Sequence, residues 1–256
     1  MARVLCIGGC HWDIRLIAQG PLLDGESTPV SSRAGPGGAV TNVARTLREV
    51  GHSVEIASVV GVDPPEISMF SKIVSGPSGR YVTVERPDGS LVYGLADLDL
   101  YDAMDAAWYA DLSDRAAMFD AVVLDCNATA DALAAFSTDK NLYAVAVSPA
   151  KVGNFTPIIS DLDGLFLNSQ EAEVLGGQLN RAPLVLETMG AAGARLLRSG
   201  EIAKIWPAPG GRPGHVNGLG DRLAGLTIAA LLDGMGWVDA IDHGLNQLFC
   251  GWDLLE

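Results

Sequence analysis

Short apolar runs punctuate the chain, and each stops at a polar residue or a glycine pair. The run VLCI at 4–7 stops at Gly8-Gly9, and the one within 118–124 runs into Asp125-Cys126-Asn127. The runs at 142–147, 165–167 and 184–186 stop at Ser148, at Asn168 and near Thr188. Runs this short fit buried strands, and helix-start residues follow each of them. Such alternation predicts a parallel, doubly wound sheet with helices on both faces and polar loops at the strand carboxyl ends. The expected fold class is α/β in three layers, α/β/α. At 256 residues, 48% of them hydrophobic, the chain is long enough to form one such domain over 1–256.

Other stretches fill in this frame. A helix is predicted over 42–50, with Val43, Leu47 and Val50 on one face and Gly51 as its stop. VEIASVV at 54–60 reads as a strand. Residues 81–84 and 91–93 alternate around Arg86-Pro87-Asp88-Gly89, which predicts a hairpin. Residues 14–36 are rich in Gly, Ser and Pro, with a weak extended pattern outside the main core. DRLAGLTIAALLD at 221–233 is the strongest helix pattern and is closed by Gly234.

Charge and cysteine usage exclude several function classes. With 17 basic against 31 acidic residues the formal net charge is −14, which gives no bulk attraction for nucleic acid or an anionic membrane. No window holds 18 uninterrupted apolar residues, and the apolar run at 4–7 is too short for a signal peptide. Cys6, Cys10, Cys126 and Cys250 form no CxxC pair, which points away from a zinc site or disulfide framework and toward a cytoplasmic location.

Neither a GxGxxG helix opening nor a GxxxxGK[ST] loop is present. Three other constellations carry chemistry. Gly37-Gly38 before Asn42 would let a ligand approach the backbone at a helix start, or would be a plain turn. Gly218-Leu219-Gly220-Asp221 opens the long helix, where successive N–H groups can form an anion nest. A carboxylate beside such a nest suits phosphoryl transfer, with Asp221 taking a hydroxyl proton beside Mg2+; the bland alternative is a first-turn acid. Asn168-Ser169-Gln170-Glu171 sits at a strand-to-helix junction, with Ser169 as expected N-cap. Glu171 there is either a water-mediated Mg2+ partner or a first-turn glutamate.

Taken in order, these motifs resemble the ribokinase family, the phosphofructokinase-B group of carbohydrate and nucleoside kinases. Residues 37–44 match the family's G-G-x-x-x-N-x-A and 59–63 its V-G-x-D. Asn168 with Glu171 matches N-x-x-E, 188–193 match T-x-G-x-x-G, and 218–221 match G-A-G-D with Leu219 for alanine. Within the family, 94–104, 123–127 and 147–152 look most like pseudouridine kinases.

The resemblance implies a ribokinase-like sheet with a small β lid from parts of 14–36 and 80–97. It implies ATP- and Mg2+-dependent phosphorylation of the hydroxymethyl group of a nucleoside or ribose-type sugar. Asp221 would be the base, and Gly218, Leu219 and Gly220 the anion hole. Asp13, Gly37, Gly38, Asn42 and Lys151 would bind the substrate. Asn168, Thr188, Gly190 and Gly193 would bind ATP, and Glu171 would serve Mg2+. Exposed lid edges suggest a homodimer. The chain departs from the family at His215-Val216-Asn217, where D-T-x is usual, and at Arg222, where a small residue follows the base. The helix after VGVD also looks contracted. These departures motivate an alternative: a catalytically impaired nucleoside-binding relative acting as a sensor or assembly subunit.

Overall fold

The computed structural model describes residues 1–208 and 218–250. In chain order the elements are β1 (Arg3–Ile7), β2 (His11–Ala18), β3 (Val30–Gly37), α1 (Ala39–Glu49), β4 (Ser53–Ala57), β5 (Val59–Val60), β6 (Lys72–Ile73), β7 (Arg80–Glu85) and β8 (Leu91–Asp97). There follow α2 (Ala106–Ala116), β9 (Ala121–Asp125), α3 (Ala130–Ala134), β10 (Asn141–Val145), β11 (Gly164–Asn168), α4 (Ser169–Leu175), β12 (Leu184–Thr188), β13 (Ala194–Arg198), β14 (Glu201–Trp206), α5 (Leu219–Leu232) and α6 (Trp237–Cys250).

Over the described residues the main sheet has eight strands in the order β14-β13-β12-β11-β10-β9-β1-β4. The six strands from β4 to β12 run parallel, and β13 and β14 close the far edge antiparallel. Alternating side chains serve opposite cores, as a strand buried on both faces requires. Leu5 and Ile7 join Tyr109, Leu112, Leu133 and Phe155 on one face. Val4 and Cys6 join Val43, Leu47, Leu226 and Ile241 on the other. Helices α2, α3 and α4 thus cover one side and α1, α5 and α6 the other, giving the expected three layers. Trp237 packs edge-on to Tyr143 and tilted on Phe166. Cys6, Cys10 and Cys126 are free and buried.

The second sheet is the lid, ordered β3-β2-β7-β8. The weakly patterned stretch 14–36 supplies most of β2 and β3, each eight residues long and paired antiparallel; β2 starts earlier, at His11. Asp63 of the VGVD segment ties this sheet to the body: its carbonyl accepts from Trp12 Nε1 (2.8 Å) and its carboxylate pairs with Arg80 (3.2 Å). The stretch after it, 64–79, holds β6 and no α-helix, in keeping with its contracted sequence. Helix α1 starts at Ala39, earlier than its apolar spacing suggests. Gly38, at φ 110°, passes so close to Gly9 that a Cβ would lie 2.1 Å from the Gly9 carbonyl oxygen. No described helix is long and apolar enough to cross a membrane. The segment His215-Val216-Asn217 lies outside the described residues.

Candidate active site

A cleft of about 2040 Å3 runs along the carboxyl ends of the parallel strands, between the body and the lid. It brings together Asp13, Gly38, Asn42, Lys151, Asn168, Glu171, Thr188, Gly190, Gly193 and the whole segment 218–221. Gly37 stands one residue outside this lining, at the end of β3.

The floor is the start of α5. Gly218 adopts the left-handed conformation (φ 79°) that glycine tolerates best, and the first intrahelical bond runs from Arg222 N–H to Gly218 O (2.9 Å). The amides of Leu219, Gly220 and Asp221 precede that bond, so the helix itself leaves them available to an anion. A Cβ on Gly220 would meet nothing within 4 Å, so the approach is open, while Leu219 leans on the core.

Asp221 is partly buried in the first turn and accepts a hydrogen bond from Asn42 Nδ2 (2.8 Å). Burial pushes its carboxyl up to about 7; the Asn42 bond works against this, and the negative fields of Glu171, Asp125 and Asp13 add to it. A base with that proton affinity is matched to neutral pH in a way an ordinary aspartate is not. Arg222 does not reach into the nest. It pairs with Glu49 of α1 (2.6 Å).

The acceptor end is built around Asp13 on β2. His11 Nε2 lies 3.2 Å from Asp13 Oδ1, and His11 Nδ1 meets the Tyr101 hydroxyl at 2.9 Å. Gly37 and Gly38 have a different use from the one expected. A Cβ on Gly37 would lie 2.0 Å from the Asp13 carboxyl carbon, and Gly38 makes way for the Gly9 backbone. The pair clears space for protein atoms that shape the pocket. Lys151 Nζ donates to Asn127 Oδ1 (2.9 Å), and Asn127 is in turn held by Asp125. Asn127, Tyr81, Tyr101 and Arg15 also line the cleft and were not singled out from sequence as site residues. Asn127 had a legible cue, a polar residue just past a strand's carboxyl end. Tyr81 and Arg15 had none, because the lid register that faces them inward is a tertiary property. Asp99 and Asp102 also line the cleft, while Asp105 caps α2 by accepting from Trp108 N–H.

At the other end, Thr188 closes β12. Gly190 and Gly193 form a tight turn in which a Cβ on Gly193 would lie 2.0 Å from the Trp206 carbonyl oxygen. Leu245, Leu248 and Phe249 of α6 supply an apolar wall beside this turn. The N-cap of α4 is Asn168 and not Ser169. Asn168 Oδ1 accepts from the amides of Gln170 and Glu171, while Glu171 Oε2 accepts from Asn168 N–H (2.8 Å), a capping box. Ser169 Oγ instead donates to Glu187 (2.9 Å).

Glu171 is therefore a helix cap first, but it is also a buried acid whose carboxyl burial pushes up. A cation nearby would relieve that cost. Among the described residues no cluster of three metal-ligating side chains occurs. The donor set fits Mg2+, which keeps most of its water and leans on phosphate oxygens, better than a caged transition metal.

No protein-family model matches the chain. Pseudouridine kinase from Escherichia coli is 24% identical over 190 residues, covering 68% of this chain; the match spans 61% of that protein's length. A carbohydrate kinase from Agrobacterium tumefaciens superposes with a TM-score of 0.80 at 27% identity, covering 97% of this chain and 90% of that one. A ribokinase from Cryptococcus neoformans in complex with ADP superposes with a TM-score of 0.71 at 18% identity, over 97% and 93% of the two chains. The superpositions give this chain the ribokinase-like fold. In sequence and fold the chain is similar to carbohydrate and nucleoside kinases of that type.

Proposed function

We propose that this protein transfers the γ-phosphoryl group of ATP to the hydroxymethyl group of a nucleoside or ribose-type sugar. The observation that carries the reading is Asp221 itself, a carboxylate tuned toward neutrality and set among helix-start amides in the floor of a two-ended cleft. Asp13 and the second N–H of Asn42 hold sugar hydroxyls, and the hydroxymethyl oxygen lies against Asp221. Asp221 takes its proton as the new O–P bond forms and the bond from phosphorus to the ADP oxygen breaks. The amides of 219–221 hold the transferring oxygens; each such donor is worth ~3 kcal/mol in a transition state. Asn168 and Glu171 would hold the phosphates and the water shell of Mg2+, which when bound neutralises phosphate charge. Thr188, Gly190 and Gly193 line the nucleotide end, with Leu245 and Leu248 against the adenine. Closure of the lid excludes water and limits ATP hydrolysis.

Lys151 and Asn127 put donors beyond the sugar position. That favours a substrate carrying a carbonyl-bearing base over a free sugar, and the likeness to pseudouridine kinase supports the same choice. The test is ADP release with Mg-ATP across pseudouridine, uridine, adenosine, ribose and fructose. Turnover highest with a pyrimidine nucleoside or pseudouridine is expected. Nucleoside binding by calorimetry with no ADP release from any acceptor would leave the non-catalytic reading in its place.

The lid face turned from the cleft carries Leu16, Val82, Val84, Tyr93 and Leu95 in register, with Tyr93 58% and Leu95 56% exposed. We propose that a second copy covers it. Light scattering should give a dimer mass that Leu95→Asp reduces to a monomer.

A further inference from the structure

We infer that Arg45 is a positioning residue for the phosphotransfer reaction: it holds the side-chain amide of Asn42 in the one orientation from which Asn42 can donate to Asp221. The inference rests on the functional reading above.

A primary amide has two unlike ends of nearly the same shape. With Nδ2 toward Asp221 it supplies a hydrogen bond to the carboxylate; turned over, it would set oxygen against oxygen. Asn42 lies on α1, and Asp221 reaches it from α5. Arg45 follows three residues after Asn42 on the same helix and so lies on the same side of it. Arg45 Nη2 donates to Asn42 Oδ1. A guanidinium has donors only, so it accepts no arrangement but Oδ1 toward itself and Nδ2 toward Asp221. Other arginines nearby are engaged elsewhere: Arg48 with the Val54 carbonyl and Glu66, and Arg222 with Glu49. Arg45 is exposed and, among the described residues, bonds Asn42 alone, so it lacks the packing role that would make its loss disruptive.

The acids that face Asp221 are Glu171 from α4, Asp125 from β9 and Asp13 from β2, and all of them raise its proton affinity. Against them stands the Asn42 bond, which Arg45 orients; Arg222, next in the chain, is neutralised by Glu49. Losing Arg45 should therefore move Asp221 toward its protonated form.

The experiment compares wild type, Arg45→Met, Arg45→Lys, Asn42→Ala and the double variant Asn42→Ala/Arg45→Met. Two readouts are taken. One is the acid limb of kcat/KM. The other is the titration of Asp221 in the free protein, followed by the infrared band of its protonated carboxyl and assigned with Asp221→Asn. Arg45→Met should raise both midpoints by roughly 0.5–1 pH unit and lower kcat at pH 7 with KM nearly unchanged. Arg45→Lys should restore at least half of the shift. In the Asn42→Ala background, Arg45→Met should add nothing. An unmoved midpoint in Arg45→Met, or an undiminished shift without Asn42, overturns the inference. If wild type releases no ADP from any acceptor but the infrared shifts follow this pattern, the phosphotransfer reading fails while the hold of Arg45 on Asn42 stands.

Discussion

Asp125 and Asp221 are the same residue type at the same edge of the molecule, and burial raises the carboxyl of both. Their surroundings differ. Asp125 is fully buried and receives three N–H donors: Gly9 N (2.7 Å), Asn127 N (2.9 Å) and Asn127 Nδ2 (3.0 Å). Gly8 leaves room for it, since a Cβ there would lie 2.3 Å from its carboxyl carbon. Asp221, among the described residues, receives one donor from Asn42 and faces an open cleft. Donors on every side turn a buried acid into a fixed hub that shapes the pocket. A single donor and an open side leave it free to exchange a proton.

The largest effect should come from Asp221. Asp221→Asn keeps the shape and removes the base, so kcat should fall by about 10²–10⁴. Nucleoside affinity by calorimetry should stay within about threefold. An equal loss of turnover and affinity would place Asp221 with Asp125, as a structural acid.

Asp125→Ala tests the other side of the comparison. It orphans one buried and two half-buried donors, and stability in urea should drop by roughly 3–5 kcal/mol, part of the penalty being relieved by water in the space created. A variant as stable as wild type would remove the distinction between hub and base.

A smaller effect isolates the acceptor end. Gly37→Ala puts a methyl group where the Asp13 carboxyl sits and should raise KM for the acceptor about tenfold, with kcat reduced less. A reduced kcat at unchanged KM would move Asp13 from holding substrate to shaping the transition state.

The contrast also explains which features could be read from sequence. The parallel strands were legible because burial on both faces leaves an unbroken apolar run, as in VVLD at 122–125. The lid was barely legible. Strand β3 reads VSSRAGPG, with no alternation to find, because most of it is exposed on both faces and its position comes from pairing with β2. Asn42, Asp221 and Glu171 were legible as positions in motifs, but not in what they do. The bond between Asn42 and Asp221 joins residues 179 apart in the chain. The N-x-x-E spacing read as a cation site is equally the spacing of a capping box, and the structure uses it as one. Gly37 and Gly38 were read as room for a ligand, since sequence does not reveal that Asp13 and Gly9 occupy that space.

The finest prediction concerns pH, where the two acids should part most clearly. For turnover, Asp221 must be ionised, so kcat/KM should rise with pH through an acid limb centred near 7. For stability the sign is opposite. The folded carboxyl holds its proton up to about 7, whereas the unfolded one releases it near 3.8. Between those values the folded state binds more protons, so this group's stabilising contribution is complete below about pH 4 and is lost as pH rises to 7. Asp221→Asn removes that dependence: its melting temperature should match wild type below pH 4 and exceed it at pH 8. The difference between the two proteins cancels Asp125 and Glu171, which are common to both. An acid limb near 4, with no gain in melting temperature at pH 8, would mean that Asp221 is solvated like an ordinary surface acid. Burial would then not be what tunes the base.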